Sequence, residues 1–467
     1  MSSARDLLLC CCAVLLLCGR ATAEDPPRLE PRFDADPGKA WAWTSAGGLR
    51  YTWVLPGGDA AIKLGDKRDV IVICHSAGND YRWAAEHFKP AEFRPRDIVI
   101  GVDGTSKGPE DTRLFLARDA DVAAFAAFLD EVRKAFPARR VLVYGHGQGG
   151  FFALHVAADK PASVDGVAAA SGGGWLGSRL TEETRRIPVV ILHGTADPGA
   201  PYAQSVKLRD GYAALGHPMA ALRRRQGWDQ RPDPAGASDA IDWCIGMTTS
   251  DPAEALSAAR AILAPRPADE TGRRSPPWFS GGAAILTRFR GQGPAPFALG
   301  AGGEAETEAI ALLRRVEAEA AGHVEVLRKQ VASRDAIRLD GGPWLGHLVA
   351  IREDFRGVAP VEAYFKELGY DDIAAKHAEA SVELTQTWFR GVPPKQTFET
   401  VVRVLPSCFL VEGLPPELGD AIPKFFAQAQ GHNLSPESIR RYRFFLMWKA
   451  GWDDGLKQYE GLSSKWE

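Results

Sequence analysis

The sequence predicts a doubly wound, mostly parallel α/β sheet followed by a mostly helical C-terminal domain. Between residues 49 and 265, short runs of Val, Ile and Ala alternate with helical patterns. Such alternation is typical of a parallel sheet that is covered by helices on both faces. After residue 303 the apolar residues recur at helical spacing instead. The chain of 467 residues, with 45% apolar and 25% charged residues, is long enough for two or three globular domains.

Seven apolar runs in the first region are predicted to be the strands of the sheet. They are rich in β-branched residues and are separated by turn residues or by helical patterns, as buried strands are. The runs are Tyr51–Leu55, Val70–Cys74, Asp97–Val102, Val141–Tyr144, Gly166–Ala170, Val189–Leu192 and Met219–Arg224. Helices are predicted at Asp119–Phe136, Phe151–Ala158 and Tyr202–Leu215.

Residues 1–23 are typical of a secretory signal peptide. Arg5 precedes an apolar stretch of 12 residues, Leu7–Cys18, which is too short for a typical transmembrane helix. Ala21-Thr22-Ala23 then forms a cleavage motif before Glu24. The sequence therefore predicts a protein that is secreted or held in the periplasm or cell envelope. A lipoprotein site at Cys18 is the weaker alternative, and no later stretch is apolar enough to span a bilayer.

The other segments predict a loose leader, a linker and a helical domain. Residues 24–48, rich in Pro, Asp and Gly, are the predicted leader. Residues 266–302 are the predicted linker, with at most one short strand at Ala283–Phe289. Residues 303–467 are the predicted helical domain, which starts with a long amphipathic helix, Glu304–Val331. Its further predicted helices are Pro360–Leu368, Ile373–Phe389, Glu412–Gln430 with interruptions, and Pro436–Trp448.

Charge and cysteine content exclude several classes of protein. A net charge of −3 argues against a nucleic-acid binder, and the basic run Arg223-Arg224-Arg225 is expected to be a solvated face. Only Cys74, Cys244 and Cys408 follow the predicted signal peptide, so there is no disulfide framework. No spacing of Cys or His, including His323, His347 and His377, matches a zinc site. We expect neither a metal nor a cofactor.

Residues 145–149, Gly-His-Gly-Gln-Gly, stand where a hydrolase would carry its nucleophile. A strand, a sharp glycine-rich turn and a helix form the frame of the G-x-S-x-G nucleophile elbow. Position 147, which serine would occupy, is glycine and offers no side-chain oxygen. A dinucleotide-binding turn is disfavoured, because the motif follows about the fourth strand and lacks the acidic residue expected about 20 residues later.

The region from residue 50 to residue 262 resembles the α/β-hydrolases, in particular secreted esterases, depolymerases and prolyl oligopeptidases. Strand 70–74 ends in His75-Ser76-Ala77-Gly78-Asn79, which is similar to the family's H-G-x-x-N turn, with Ser76 in place of the glycine. The resemblance implies that this turn, at Ser76, and Gln148 after the elbow supply the backbone N–H groups of an oxyanion hole.

The same resemblance identifies Asp197 as the triad acid and Trp228 as the position of the catalytic histidine. His193-Gly194-Thr195-Ala196-Asp197 is similar to the family's H-G-x-x-D segment, in which the first histidine is structural. Trp228 follows the next strand, and its indole has no basic nitrogen. His217 precedes that strand and is expected to be a surface turn residue, far from the site. Nucleophile and base are thus both replaced in a triad that acts as a unit.

Three hypotheses follow from this degenerate triad of Gly147, Asp197 and Trp228. The favoured one is a pseudoenzyme that binds a small-molecule or protein ligand in its former active-site cleft, with Trp228 and Trp175 as stacking surfaces or as simple packing. The second is a carboxylic-ester or peptide hydrolase with a relocated nucleophile, Ser76 or Ser171, acting with Asp197 and His75 or His193. In the third, the helical domain carries the function, with residues 340–347 as its densest turn-and-aromatic cluster.

Overall fold

A twisted, mostly parallel sheet forms the core of the protein, as predicted. The computed structural model describes residues 41–54, 67–108, 112–136, 138–172, 181–195, 197, 200, 202–266, 276–291, 298–299, 302–332 and 343–369. The strands are β1 Trp41–Thr44, β2 Arg50–Val54, β3 Arg68–Cys74, β4 Ile98–Val102, β5 Ser106–Lys107, β6 Arg113–Leu114, β7 Ala138–His146, β8 Gly166–Ala170, β9 Val189–Gly194 and β10 Ala220–Arg225.

Within the described residues, eight of these strands form one sheet in the order β1-β2-β4-β3-β7-β8-β9-β10. Strand β2 pairs antiparallel with β1 and β4, and every other neighbouring pair is parallel. All seven predicted runs are strands of this sheet. Strand β4 is buried throughout and β3 is buried after its first residue, as expected for Val- and Ile-rich strands of a parallel sheet. Parallel strands bring their carboxyl ends to one edge, where a ligand site of this fold class lies.

Eleven α-helices are described. They are α1 Trp83–His87, α2 Pro90–Phe93, α3 Asp119–Ala135, α4 Gln148–Asp159, α5 Tyr202–Ala214, α6 Pro234–Thr248, α7 Pro252–Leu263, α8 Phe279–Thr287, α9 Glu304–Ala332, α10 Pro343–Asp354 and α11 Ala359–Glu367. Single 3-10 turns lie at Pro161–Ser163, Thr184–Arg186 and Arg288–Arg290. The described residues divide into two compact units. One contains the described residues up to 197 together with residues 208–310, and the other contains residues 200–207 and those after 310.

The predicted leader and linker both contain regular structure, which corrects the sequence-based expectation. Strand β1 falls in the supposed leader and pairs with β2, where Trp43 stacks on Trp53 with ring centroids 6.3 Å apart. The expected strand Ala283–Phe289 is instead helix α8 followed by the 3-10 turn. A short apolar run fits a strand or a buried helix equally well, and here tertiary packing selects the helix.

Glycine contacts explain how α8 packs so closely on its neighbours. A Cβ added to Gly246 of α6 would lie 2.5 Å from Ile285 of α8, and one added to Gly282 would lie 2.5 Å from Leu263 of α7. Trp278, just before α8, donates its backbone N–H to Ile262 at 2.9 Å and is 2% exposed. Residues 276–291 are therefore part of the unit that contains the sheet.

The predicted helices after residue 303 are confirmed as far as the described residues extend. Helix α9 matches the long amphipathic helix, and α11 matches Pro360–Leu368 within one residue at each end. Residues 343–347 of the turn-and-aromatic cluster begin helix α10, which the sequence analysis did not predict. The predicted helices beyond residue 369, and Trp175 and Cys408, lie outside the described residues.

Candidate active site

The turn between β7 and α4 has the backbone geometry of a nucleophile elbow. Gly147 stands at its apex with φ 53° and ψ −117°, a conformation in which residues with a Cβ are strained. Its N–H donates to the Ala170 carbonyl at 2.8 Å, and its carbonyl accepts from the N–H groups of Gly150 and Phe151. These bonds fix the apex beside the end of β8, at the carboxyl edge of the sheet.

Two flanking glycines are required by close backbone contacts. A Cβ on Gly145 would lie 2.1 Å from the Gly149 carbonyl oxygen, and one on Gly149 would lie 2.5 Å from the Cys74 carbonyl oxygen. Strand β7, helix α4 and the end of β3 therefore approach each other more closely than any side chain allows. The G-x-G-x-G pattern is explained by these contacts and by the positive φ of Gly147.

Ser76 faces the elbow from the end of β3. A Cβ added to Gly147 would lie 3.0 Å from the Ser76 Cβ. The Ser76 hydroxyl oxygen accepts a hydrogen bond from Asn79 Nδ2 at 3.0 Å, and the Ser76 carbonyl accepts from the Asn79 N–H at 3.3 Å. The structure thus brings together two of the predicted site residues, Ser76 and Gly147.

His75 is held in a neutral form that turns both ring nitrogens to the backbone. Its Nδ1 lies 2.8 Å from the Ser76 carbonyl and donates to it, so Nε2 accepts from the Gly104 N–H at 3.2 Å. Burial lowers the pKa of His75. Because both nitrogens are engaged in this way, His75 is not placed to take a proton from the Ser76 hydroxyl.

The predicted oxyanion donors lie on either side of the elbow. Gln148 is the first residue of α4, so its N–H belongs to the first turn, whose N–H groups have no partner within a helix. The Gln148 side chain accepts from the Phe115 N–H through Oε1 at 3.3 Å. The use of the Ser76 turn and Gln148 as an oxyanion hole stays a prediction.

The predicted triad acid, Asp197, is buried against a histidine of its own segment. Its side chain is fully buried, and Oδ2 lies 3.3 Å from Nε2 of His193. His146, beside the elbow, is also buried and packs on Trp83 with ring centroids 5.3 Å apart. Burial lowers the pKa of His146 to about 4, although the negative charge of Asp197 favours its protonated form.

Trp228, the predicted position of the catalytic histidine, lies just after β10. Its backbone carbonyl lies so close to Gly194, at the end of β9, that a Cβ there would be 2.1 Å away. The guanidinium of Arg225 lies 4.1 Å from the Trp228 ring centroid in a cation–π contact. Arg225 is 1% exposed and forms an ion pair with Asp233 at 2.7 Å. An indole fixed on a buried cation cannot act as a general base.

The basic run in β10 is buried, contrary to the expectation of a solvated face. Arg223 is 2% exposed and shares Asp239 with Arg266, which reaches that carboxylate at 2.7 Å. Alternate residues of a strand share one face, so Arg223 and Arg225 both lie over α6, which carries Asp239 and begins just after Asp233. The sequence signal for this burial was a pair of acids: Asp233 lies 8 residues after Arg225, and Asp239 lies 16 residues after Arg223.

His217 is also misplaced by the sequence-based expectation. It is 6% exposed rather than on the surface, and its ring packs edge-on to Tyr212. Nδ1 accepts from the Met219 N–H at 3.2 Å, and Nε2 donates to the Thr184 carbonyl at 3.1 Å. It precedes β10 and so lies at the opposite edge of the sheet from the elbow, as expected.

Ser171 has unusual backbone strain directly after β8. Its φ of 49° is the only positive φ of a non-glycine residue within the described part of the chain. Its N–H donates to the Leu192 carbonyl at 3.0 Å, which fixes it beside β9. A Cβ on the adjoining Gly172 would lie 3.0 Å from the Gly147 carbonyl oxygen, so this turn abuts the elbow.

A parallel sheet with a sharp turn after one strand and an aspartate after a later strand is the arrangement that the sequence predicted. Residues 119–222 match the Phospholipase/Carboxylesterase family. The chain is 36% identical to "Putative esterase NocK" of Nocardia uniformis subsp. tsuyamanensis over 102 residues. These residues are 21% of this chain and 30% of the length of that protein. This segment is similar to α/β-hydrolases, as the sequence predicted, and the sheet has the predicted α/β architecture.

Solved esterase structures are among those that align with part of this chain. A thermostable esterase aligns with 16% identity and a TM-score of 0.35, covering 44% of this chain and 62% of its own. Est1E from Butyrivibrio proteoclasticus aligns with 15% identity and a TM-score of 0.32, covering 43% of this chain and 95% of its own.

The described residues contain neither a metal-binding cluster nor a helix that could span a membrane. No group of three or more His, Cys, Asp or Glu side chains there could hold a metal ion. None of the described helices combines the length and the apolar character needed to cross a bilayer.

Proposed function

We propose that the α/β-hydrolase unit is a pseudoenzyme, which binds a small-molecule or protein ligand in its former active-site cleft without hydrolysing esters. The observation that carries this proposal is the elbow itself. Its apex keeps the conformation of a nucleophile residue, with φ 53° and ψ −117°, but the residue is glycine. Nucleophilic catalysis needs a side-chain oxygen or sulfur at that point, and none is available there.

The base and acid positions support the same proposal. Trp228 has no basic nitrogen, and its ring is stacked on the buried Arg225. Asp197 lies against His193 instead of a histidine at position 228. Backbone N–H groups alone would leave only about 10³-fold acceleration over water, by comparison with triad variants of serine proteases. Trp228, which is only half-buried, supplies an aromatic surface for a ligand.

The test is hydrolysis of p-nitrophenyl butyrate by the purified mature chain, together with labelling by a fluorophosphonate probe. We expect hydrolysis at the rate of the buffer and no label. The matched control is the Asp197→Asn variant, which should behave identically if no triad operates. Turnover well above the buffer rate that Asp197→Asn abolishes would contradict the proposal.

Ser171 is the specific alternative, because the strain at this residue resembles that of an elbow apex. In this second candidate function, the Ser171 hydroxyl would attack an ester, with His193 and Asp197 as base and acid. Labelling by the probe that Ser171→Ala removes, and that Ser76→Ala leaves intact, would establish the relocated nucleophile. Loss of labelling only in Ser76→Ala would instead identify Ser76 as the nucleophile.

We also propose that the protein is exported, which rests on the signal-peptide pattern of residues 1–23. A third possibility, that residues 303–467 carry the function, would be favoured if that segment alone retained the binding of a partner.

A further inference from the structure

The Ser76 side chain occupies the space into which a side chain at position 147 would project. A Cβ on Gly147 would lie 3.0 Å from Ser76 Cβ and 3.8 Å from Ser76 Cα. Non-bonded carbon atoms are at their optimal separation at about 3.5–4.0 Å. The contact would therefore be too short by about half an ångström. Apart from the glycine's chain neighbours, no other described atom would lie within 4 Å of that Cβ.

Ser76 cannot relieve this contact by changing its rotamer. Rotation about χ1 moves the hydroxyl but leaves Cβ where the backbone holds it. Ser76 lies two residues after the end of β3, which pairs with β4 on one side and β7 on the other. The Ser76 carbonyl also accepts hydrogen bonds from His75 Nδ1 at 2.8 Å and from the Asn79 N–H at 3.3 Å. Two strand ladders and two hydrogen bonds thus fix the Cβ of Ser76.

We propose that Ser76 closes the nucleophile position, so that residues 76 and 147 form a coupled pair. A side chain at 147 is accommodated without distortion only when residue 76 is glycine. The chain has serine at 76 and glycine at 147, the reverse of the arrangement that a nucleophile at 147 would need. The steric part of this inference is independent of the proposed function, and its consequence for activity rests on that function.

Thermal unfolding tests the steric part without any need for activity. Gly147→Ala is introduced into the natural chain, into Ser76→Ala and into Ser76→Gly. Strain from the positive φ is common to all three, and Ser76→Ala keeps the Cβ while removing the hydroxyl that Asn79 binds. We expect Gly147→Ala to lower the unfolding midpoint by about 3 °C more in the first two backgrounds than in Ser76→Gly. An equal decrease in all three overturns the proposal.

Ester hydrolysis tests the consequence for activity. Gly147→Ser/Trp228→His is compared with the same variant that also carries Ser76→Gly, with p-nitrophenyl butyrate as substrate. We expect the triple variant to be at least about tenfold faster, because nucleophilic attack needs near-ideal placement of the hydroxyl. Equal rates, or a triple variant as slow as the buffer, overturn this part. Hydrolysis by the natural chain would instead contradict the proposed function and leave the unfolding comparison unaffected.

Discussion

Two buried histidines should make the stability of the sheet-containing unit fall as the pH is lowered. Burial lowers the pKa of His146 and of His217 from 6.5 to about 4 in each case. Because the folded pKa lies below the unfolded one, the unfolded chain binds more protons between these two values. The free energy of unfolding is therefore highest above pH 6.5 and decreases as the pH falls toward 4.

The magnitude follows from the size of the pKa shifts. One pKa unit corresponds to about 1.4 kcal/mol, so each histidine contributes that amount per pH unit in this range. Across the full shift, each contributes roughly 3 kcal/mol. The geometry explains why protonation is opposed. A proton on Nδ1 of His217 would turn the acceptor of the Met219 N–H into a second donor. His146 is buried against Trp83. The charges of His87 and His193 also oppose its protonation, whereas the charge of Asp197 favours it.

The assay is urea unfolding at pH 7, 6 and 5 for the natural chain, His146→Phe, His217→Phe and the double variant. Each single variant should remove about 2 kcal/mol of the stability change between pH 7 and pH 5, most of it between pH 6 and 5, whatever its stability at pH 7. Other titrating groups are shared by all four proteins and cancel in the differences. His323→Gln is the control, because that side chain is 40% exposed on α9. Identical pH slopes for the natural chain and the double variant would refute the reasoning.

Two further predictions concern residues 276–291, which the sequence predicted to be part of a linker, and the removal of residues 1–23. Trp278→Ala should reduce the free energy of unfolding by about 3–5 kcal/mol in urea, because the ring is buried beside Trp243 at 6.0 Å and under Arg223 at 5.6 Å. A loss below about 1 kcal/mol would mean that residues 276–291 do not pack on the unit that contains the sheet. The mature protein from a secreting host should begin at Glu24 by mass spectrometry of the intact chain, and a chain that retains residues 1–23 would contradict the predicted export.

The strands were predictable because each is a continuous apolar run whose length and flanking turns leave little alternative. Helix α9 was predictable because its apolar residues recur at helical spacing over 29 residues. Helix α8 was not, since nine residues show no decisive period, and its packing depends on Gly246 and Leu263, which are distant in sequence. Strand β1 was missed because it has only four residues and lies in a segment rich in turn residues. It joins the edge of the sheet by pairing with β2.

The positions of the candidate site were predictable, but their interactions were not. Chain order and local motif place Gly147, Asp197 and Trp228 at the carboxyl ends of β7, β9 and β10. The sequence does not show that Ser76 crowds Gly147 or that Arg225 supports Trp228, because both contacts join segments brought together only by the sheet. Burial of Arg223 and Arg225 likewise depends on acids that α6 and the residue before it supply.

The geometry of the elbow explains why glycine at its apex is compatible with this fold. The close contacts that shape it involve Gly145 and Gly149, whose Cβ atoms would strike backbone, and none of them involves a side chain at 147. Glycine at a φ of 53° removes strain of the order of 1 kcal/mol that serine would impose there. Replacing serine by glycine is therefore favourable or neutral for stability. In this chain, a change from glycine to serine at 147 meets both that strain and the Cβ of Ser76.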